Sequence, residues 1–241
     1  MTERPRHAIT RAADRFTLGG TTLERDGDAL VIRFEERTRP FFQRMPRAIA
    51  GEIRITPEAP PLDHPVTLDA AGRHTWWPVT PHARAEVHLD RPALRFQGPA
   101  YHDANRGEEG LEDGFTRWSW SRARAADRTA VLYDTLDRHG HAREHGYLFT
   151  ADGRVAPYAP PVRVPLARAP WGIDRNTRAE AGATARVRAT LVAAPFYARS
   201  VIDTTLDGHP AIGVHEALDC DRFAAPWVRF LLPWRIRRET R

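Results

Sequence analysis

The sequence predicts an all-β protein, and three observations lead to that class. Short runs of β-branched, aromatic and aliphatic residues recur along most of the chain. Turn-forming residues, mainly Gly and Asp, separate these runs. Helical periodicity of useful length is found only near the C-terminal end, over residues 221–236, where Pro226 and Pro233 interrupt it.

The predicted strands follow one another at short intervals, as in a β-meander. Turn signals such as Asp26-Gly27-Asp28, Arg138-His139-Gly140 and Asp152-Gly153 stand between several of them. The predicted strands cover residues 30–34, 51–55, 85–89, 94–96, 115–120, 130–136, 146–150, 187–192, 200–206 and 211–218.

This number of strands exceeds what one small barrel uses. Two consecutive antiparallel barrels of meander type would accommodate the strands and leave few open edges. The pattern breaks at residues 122–127. We therefore expect an N-terminal barrel over residues 1–125 and a C-terminal barrel over 126–241.

Composition argues against several classes of protein. The net charge is +5, yet all 36 basic residues are arginine and 31 carboxylates are interspersed with them. Such mixing does not favour a nucleic-acid partner. The single cysteine, Cys220, cannot form an intramolecular disulfide, and no apolar run has the length of a signal peptide core or a membrane span. We expect a cytoplasmic protein that is in contact with a membrane at most peripherally.

The residues most suited to chemistry lie in residues 98–123, with one group upstream. Tyr101 and Asp103 are two residues apart, so on a strand their side chains lie on one face, about 7 Å apart. His74 and Trp76 form a second pair with the same spacing. Composition and periodicity alone favour core aromatics, a turn aspartate and a satisfied histidine over an active site.

The order of residues in this region resembles the signature of the carotenoid 1,2-hydratases, also called hydroxyneurosporene synthases. Three further segments agree with that family in order: residues 72–78, 131–134 and 215–233. The residues of the signature itself are Tyr101-His102-Asp103-Ala104-Asn105, Gly107, Leu111-Glu112-Asp113, Phe115, Trp118, Trp120 and Ser121-Arg122-Ala123.

The resemblance implies a fold, a reaction and a site. It implies two lipocalin-like barrels and the addition of water across the terminal carbon 1–carbon 2 double bond of acyclic carotenoids such as neurosporene or lycopene, without a cofactor. His74, Trp76, Tyr101 and Asp103 align with the catalytic residues of the family. Members usually carry a further aromatic-rich segment ahead of the part matched here, so we expect the activity of this chain to depend on whether that segment covers the pocket.

The reaction assigns each of the four residues a role. Protonation of carbon 2 requires a carboxylic acid that apolar surroundings keep neutral, and Asp103 is the candidate. The tertiary cation at carbon 1 is stabilised by an aromatic face, for which Trp76 and Tyr101 are suited. A neutral histidine, His74, can accept the proton of the attacking water. In an alternative division, His74 hydrogen-bonds and re-protonates Asp103, and Tyr101 holds the water.

Several alternatives stay open at this stage. The chain could be a non-catalytic lipocalin-like binder of a carotenoid or other polyene, or a cyclase on the same scaffold. A metal site at His139, His141 and His145 is a weaker interpretation than a polar hairpin between two strands. The apolar and arginine-rich segment 223–241 either closes the second barrel or rests on an anionic membrane surface.

Overall fold

The computed structural model describes residues 2–38, 47–125, 127–206, 208–232 and 237–238. Strands dominate these residues, which confirms the all-β class. The strands are β1 Thr2–Glu3, β2 Ile9–Arg11, β3 Arg15–Leu18, β4 Thr21–Asp26, β5 Ala29–Thr38, β6 Arg47–Pro57, β7 Val66–Thr67, β8 His74–Arg91, β9 Ala93–Gly107, β10 Phe115–Arg124, β11 Arg128–Asp137, β12 Ala142–Thr150, β13 Val155–Pro157, β14 Val162–Leu166, β15 Arg175–Ala179, β16 Arg186–Ala193, β17 Tyr197–Leu206, β18 His209–Asp219 and β19 Arg237–Arg238.

The helices are short. Two single 3₁₀ turns cover Arg6–Ala8 and Pro170–Gly172, and the α-helices are α1 Leu111–Gly114, α2 Cys220–Ala224 and α3 Pro226–Leu231. The break between α2 and α3 comes just before Pro226, as the sequence predicts, because proline lacks the N–H that a continuing helix would use. Residues 233–236, the end of the predicted helical stretch, lie outside the described residues. None of the helices in the described part of the chain is long and apolar enough to span a bilayer.

All ten predicted strands lie inside observed strands, but the sequence missed several others. Strands β2, β3 and β4 and strands β13, β14 and β15 were not predicted. Strand β8 also begins eleven residues before the predicted run 85–89. The sequence did not predict this first part of the strand because it contains Pro78 and Pro81. Proline in a sequence suggests that a strand ends there. An extended backbone can nevertheless accommodate the fixed φ angle of proline.

The chain divides into two compact units, each built from separate stretches. Unit 1 comprises Met1–Glu58, Ala83–Tyr101 and Phe230–Arg241, and unit 2 comprises Ala59–His82 and His102–Arg229. The boundary expected near residue 125 falls in the turn between β10 and β11, inside unit 2. Because β10 pairs with both β11 and β18, one sheet ties residues 115–124 to the C-terminal half of the chain.

Unit 1 contains an antiparallel meander. Strands β2 to β6 pair in sequence order, and β6 pairs in turn with residues 83–91 of β8. Side chains such as Val31, Ile55 and Val87 are buried on this sheet. Strands β1 and β19 form a separate parallel pair.

Unit 2 is organised on a seven-stranded sheet with the order β13-β12-β11-β10-β18-β17-β16. The order is open: in the described part of the chain, the edge strands β13 and β16 are not paired with each other. A closed barrel is therefore not formed by this sheet. Hairpins connect most neighbours, and the predicted turns at 138–140 and 152–153 are confirmed, with Gly140 and Gly153 at φ of 86° and 87°.

One face of this sheet is covered by the β14–β15 hairpin. Arg178 on β15 donates to both carboxylate oxygens of Asp134 on β11, with both side chains buried. The backbone carbonyl of Asn176 accepts from Ser119 and from Nε2 of His215. The opposite face of the sheet, which carries Trp118 and Tyr133, packs against the segment 59–82.

Candidate active site

Trp76 and Asp103, two of the four predicted site residues, are in direct contact. Trp76 lies on β8 with its side chain fully buried, and Asp103 lies on β9, which pairs with β8. The indole Nε1–H of Trp76 donates to Oδ2 of Asp103 at 2.9 Å. This bond fixes the orientation of the carboxyl group.

Aromatic rings of unit 2 surround Trp76. The ring centroid of Tyr133 on β11 is 5.3 Å from that of Trp76 at an interplanar angle of 80°, and Tyr147 on β12 is at 6.2 Å. Trp118 on β10 contacts Tyr133 at 5.7 Å and Tyr197 at 6.4 Å. Edge-to-face contacts of this kind are favoured by the ring quadrupoles. The carboxyl group of Asp103 is thus bonded to a member of an aromatic cluster.

The tyrosines of this cluster stay neutral. Burial raises the pKa of Tyr133 far above its usual value, and the nearby carboxylates of Asp103 and Glu216 raise it further. Burial and Glu216 also raise the pKa of Tyr197. Glu216 itself is paired with Arg199 at 2.7 Å. The cluster therefore presents neutral tyrosine rings.

His74, the third predicted residue, bonds to an aspartate that the sequence analysis did not single out. Its Nδ1 lies 2.7 Å from Oδ2 of Asp69, and its backbone N–H donates to the same oxygen at 2.8 Å. Nε2 is buried and has no hydrogen-bond partner among the described residues. The alternative hydrogen bond between His74 and Asp103 is therefore not formed.

The imidazole of His74 is held between backbone segments. A Cβ added at Gly114 would stand 2.5 Å from Cε1 of the ring, and one added at Gly107 would stand 2.8 Å from Cδ2. The ring of Phe115 lies 4.7 Å away, centroid to centroid. Only glycine at these two positions lets the backbone come this close to the ring.

Tyr101, the fourth predicted residue, lies on β9 two residues before Asp103 and is half-buried. It is the last residue of unit 1 in this stretch, whereas His74, Trp76 and Asp103 belong to unit 2. Strand alternation places Tyr101 and Asp103 on one face of β9. As the sequence predicted, His74 and Trp76 are two residues apart on one strand, and Tyr101 and Asp103 are two residues apart on another.

Asp69 was the functional candidate that the sequence analysis missed. It begins the segment Asp69-Ala70-Ala71-Gly72-Arg73-His74, in which an aspartate precedes a glycine turn, and its Oδ1 accepts the backbone N–H of Arg73 at 3.0 Å. An aspartate just before such a turn commonly accepts backbone N–H groups. This pattern was the available signal, but its link to the His74 ring required the structure.

A cavity of about 260 Å³ lies beside Asp69 in unit 2. Charged residues are frequent among those that line it. The lining residues are Asp69, Ala70, Ala71, Arg73, Glu109, Asp113, Gly114, Asp137, Arg138 and His139.

The histidines considered for a metal site lie in the predicted hairpin of β11 and β12. Asp137 accepts the backbone N–H groups of His139 and His141, and its Oδ2 lies 3.0 Å from Nδ1 of His141. Across the described ranges, no group of three or more His, Cys, Asp or Glu side chains is arranged to hold a metal ion.

The fold resembles those of two solved structures of distant sequence. One is the crystal structure of an AttH protein from Nitrosomonas europaea, with a TM-score of 0.62 and 14% identity over 88% of this chain and 72% of that one. The other is that of CghA with Sch210972, with a TM-score of 0.55 and 12% identity over 88% of this chain and 69% of that one. Identities this low show a shared fold only.

Sequence comparison gives a closer relationship. Residues 1–241 match the family model described as carotenoid hydratase CrtC. Acyclic carotenoid 1,2-hydratase of Thiocapsa roseopersicina is 46% identical and that of Rubrivivax gelatinosus is 40% identical, each over 99% of this chain. The chain spans only 58% of the length of either relative, and 84% of a 37% identical hydratase of Cereibacter sphaeroides. A chain matched by the family model over its whole length, with these relatives, belongs to the carotenoid hydratase family CrtC.

Proposed function

We propose that this chain hydrates the terminal carbon 1–carbon 2 double bond of acyclic carotenoids to a tertiary alcohol. Family membership supports the reaction class, and the relatives are named as acyclic carotenoid 1,2-hydratases. The observation that carries the proposal is the Trp76–Asp103 hydrogen bond at 2.9 Å within a set of aromatic rings. It joins an acid to the type of surface that stabilises a carbocation.

Asp103 is the proposed proton donor. The carboxyl group, held by the indole through Oδ2, would deliver its proton to carbon 2. The C2–H bond forms from the electron pair of the double bond, and the positive charge appears at carbon 1. The indole N–H then stabilises the carboxylate that remains, because a hydrogen bond to a charged acceptor is stronger than one to a neutral acceptor.

Aromatic faces are proposed to stabilise the cation. Trp76 is hydrogen-bonded to the acid, and strand alternation places Tyr101 on the same face of β9 as Asp103. A desolvated cation over an aromatic face gains about 2 kcal/mol or more. Neutral rings offer electron density without a nucleophile that would trap the cation.

Capture of the cation by water completes the reaction. Water adds its oxygen to carbon 1, and the proton that it releases goes to a base, for which His74 is proposed. The buried Nε2 of His74 is the nitrogen that can accept it, because Nδ1 is engaged with Asp69. The products are the tertiary alcohol and, after proton return to Asp103, the starting enzyme.

The proposal also includes a relationship of the fold to lipocalin-like barrels and a peripheral contact of the protein with a membrane. The antiparallel sheets and the two compact units support a relationship to paired lipocalin-like barrels. Trp227 and Phe230 on α3 are exposed at 48% and 70%, and they are the side chains on which contact with a membrane would rest. Flotation of the protein with anionic lipid vesicles tests that contact.

The experiment uses the purified chain, lycopene or neurosporene in detergent, and water enriched in ¹⁸O. We expect mass spectrometry to show one labelled hydroxyl group at carbon 1 of the product. Asp103→Asn should bind the pigment but give no product, since an amide cannot supply the proton. Pigment that binds and stays unaltered with the unsubstituted chain would contradict hydration and support a carotenoid-binding protein. Normal turnover by Asp103→Asn would exclude Asp103 as the acid.

A further inference from the structure

Asp69 is built into the protein as an ionised group. Its carboxylate is buried and accepts three hydrogen bonds, from the backbone N–H of Arg73 at 3.0 Å, from the backbone N–H of His74 at 2.8 Å and from the ring of His74 at 2.7 Å. Burial alone would raise the pKa of Asp69, but these hydrogen bonds outweigh it and lower the pKa. The group is therefore an acceptor only.

An acceptor at this position determines which nitrogen of His74 carries hydrogen. A carboxylate has no proton to give to Nδ1, so the bond exists only if Nδ1–H donates to Oδ2. In a neutral imidazole the other nitrogen, Nε2, then bears the lone pair. Nε2 is buried and has no hydrogen-bond partner among the described residues, so nothing in that part of the chain occupies the lone pair.

The surroundings prevent the ring from turning to the other arrangement. Gly107 and Gly114 approach its edges so closely that a Cβ at either position would overlap the ring, and Phe115 packs on it. A ring flip about χ2 would also exchange Nδ1 with a carbon and break the bond to Asp69. The orientation and the tautomer are thus determined together.

We infer that Asp69 is a positioning residue, which holds His74 in the Nδ1–H tautomer so that Nε2 acts as the acceptor for the proton released by water. The inference rests on the function proposed above for the catalytic step, while the tautomer itself can be tested without any turnover. Asp69 lies just outside the segment 72–78 that the sequence analysis compared with the family.

The first test is the tautomer of His74, measured by ¹⁵N chemical shifts of the ring in the full chain at a pH where the ring is neutral. We expect protonated Nδ1 and unprotonated Nε2. In Asp69→Asn, the side-chain NH₂ can donate to Nδ1, so we expect the population to move towards Nε2–H. An unsubstituted chain with Nε2–H would overturn the inference, and so would a variant in which the tautomer stays the same.

The second test is kinetic and has a matched control in the same cavity wall. Asp137 is also buried, and it also accepts two backbone N–H groups and contacts the Nδ1 of a histidine, the exposed His141. Asp69→Asn should lower kcat by about 100-fold with little change in KM, as expected for loss of a general base. Asp137→Asn should disturb its turn to a similar extent and leave kcat within about twofold.

The outcomes separate the two proposals. Equal loss of kcat in both variants would show that Asp69 is a turn residue only, and would overturn the inference. If the unsubstituted chain gives no hydrated product, the proposed function fails, and the ¹⁵N measurement still decides whether Asp69 sets the tautomer of His74.

Discussion

Replacing Trp76 by phenylalanine removes the indole N–H that donates to Asp103 but keeps an aromatic ring in the cluster. The bond that is lost is 2.9 Å long and involves a fully buried indole. If the bond orients the acid, the variant should bind pigment about as well as the unsubstituted protein and turn it over more slowly. The change therefore separates the orienting role of Trp76 from its role as an aromatic surface.

The size of the effect follows from the strength of the bond. A hydrogen bond to a charged acceptor contributes about 1.5–3 kcal/mol and one to a neutral acceptor about 0.5–1.5 kcal/mol, so the bond should strengthen by about 1–1.5 kcal/mol in the proposed step, in which Asp103 gives up its proton. Each 1.36 kcal/mol of barrier corresponds to a tenfold change in rate, so kcat should fall roughly 5- to 13-fold. KM should change much less, because a hydrocarbon polyene has no oxygen or nitrogen that could accept a hydrogen bond from the N–H.

Trp118→Phe is the matched control for the loss of ring volume. Trp118 packs on the same tyrosine, Tyr133, but its Nε1 is buried without a hydrogen-bond partner among the described residues. The substitution makes the same change of ring and removes no hydrogen bond. Its kcat should therefore fall by much less than that of Trp76→Phe.

The assay is the initial rate of alcohol formation at several concentrations of neurosporene, with thermal unfolding measured on both variants. Rates of the two variants that agree within about twofold would refute an orienting role for the Trp76 N–H. A large increase of KM in Trp76→Phe, with kcat unchanged, would place the residue in the binding wall instead.

Two further predictions concern stability. Gly114→Ala should destabilise the protein by about 1–3 kcal/mol in urea unfolding, because the added Cβ would stand 2.5 Å from the ring of His74. Gly98→Ala is the control and should change stability little, because a Cβ at residue 98 would meet open space. Equal effects of the two substitutions would contradict this account. Burial lowers the pKa of His215 from 6.5 to about 4, so as pH falls below about 6.5 the unfolded chain binds a proton before the folded chain does. Roughly 3 kcal/mol of stability should therefore be lost between pH 6.5 and 4. His215→Gln should flatten this pH dependence of stability, and an unchanged slope would contradict the assignment to His215.

The sequence predicted much of the fold because β-structure leaves a local signature. Alternating apolar residues and glycine turns mark single strands and hairpins, and each can be identified from about ten residues of sequence. The same reasoning missed β2 to β4 and the start of β8. In these segments polar residues or prolines occupy strands, and the extended conformation is stabilised by pairing with a neighbouring strand rather than by the residues' own β-propensity.

The candidate site was predictable in its residues but not in its pairing. Spacing and family resemblance identified His74, Trp76, Tyr101 and Asp103. They did not show that Trp76 is the residue that binds Asp103, or that His74 binds Asp69. Trp76 and Asp103 are 27 residues apart, and whether their polar atoms meet depends on the pairing of β8 and β9 and on differences of a few tenths of an ångström.

The sequence by itself determined the all-β class, the positions of most strands and turns, and the membership of the chain in its family. These properties depend on local conformational preferences and on residue identities, both of which are read directly from the chain. The tertiary structure alone decided the division into two units built from separate stretches of the chain, the close approach of two glycines to the His74 ring and the hydrogen-bond partners of Asp69 and Asp103. Those features depend on how particular side chains and backbone segments pack against one another, which local sequence patterns do not encode.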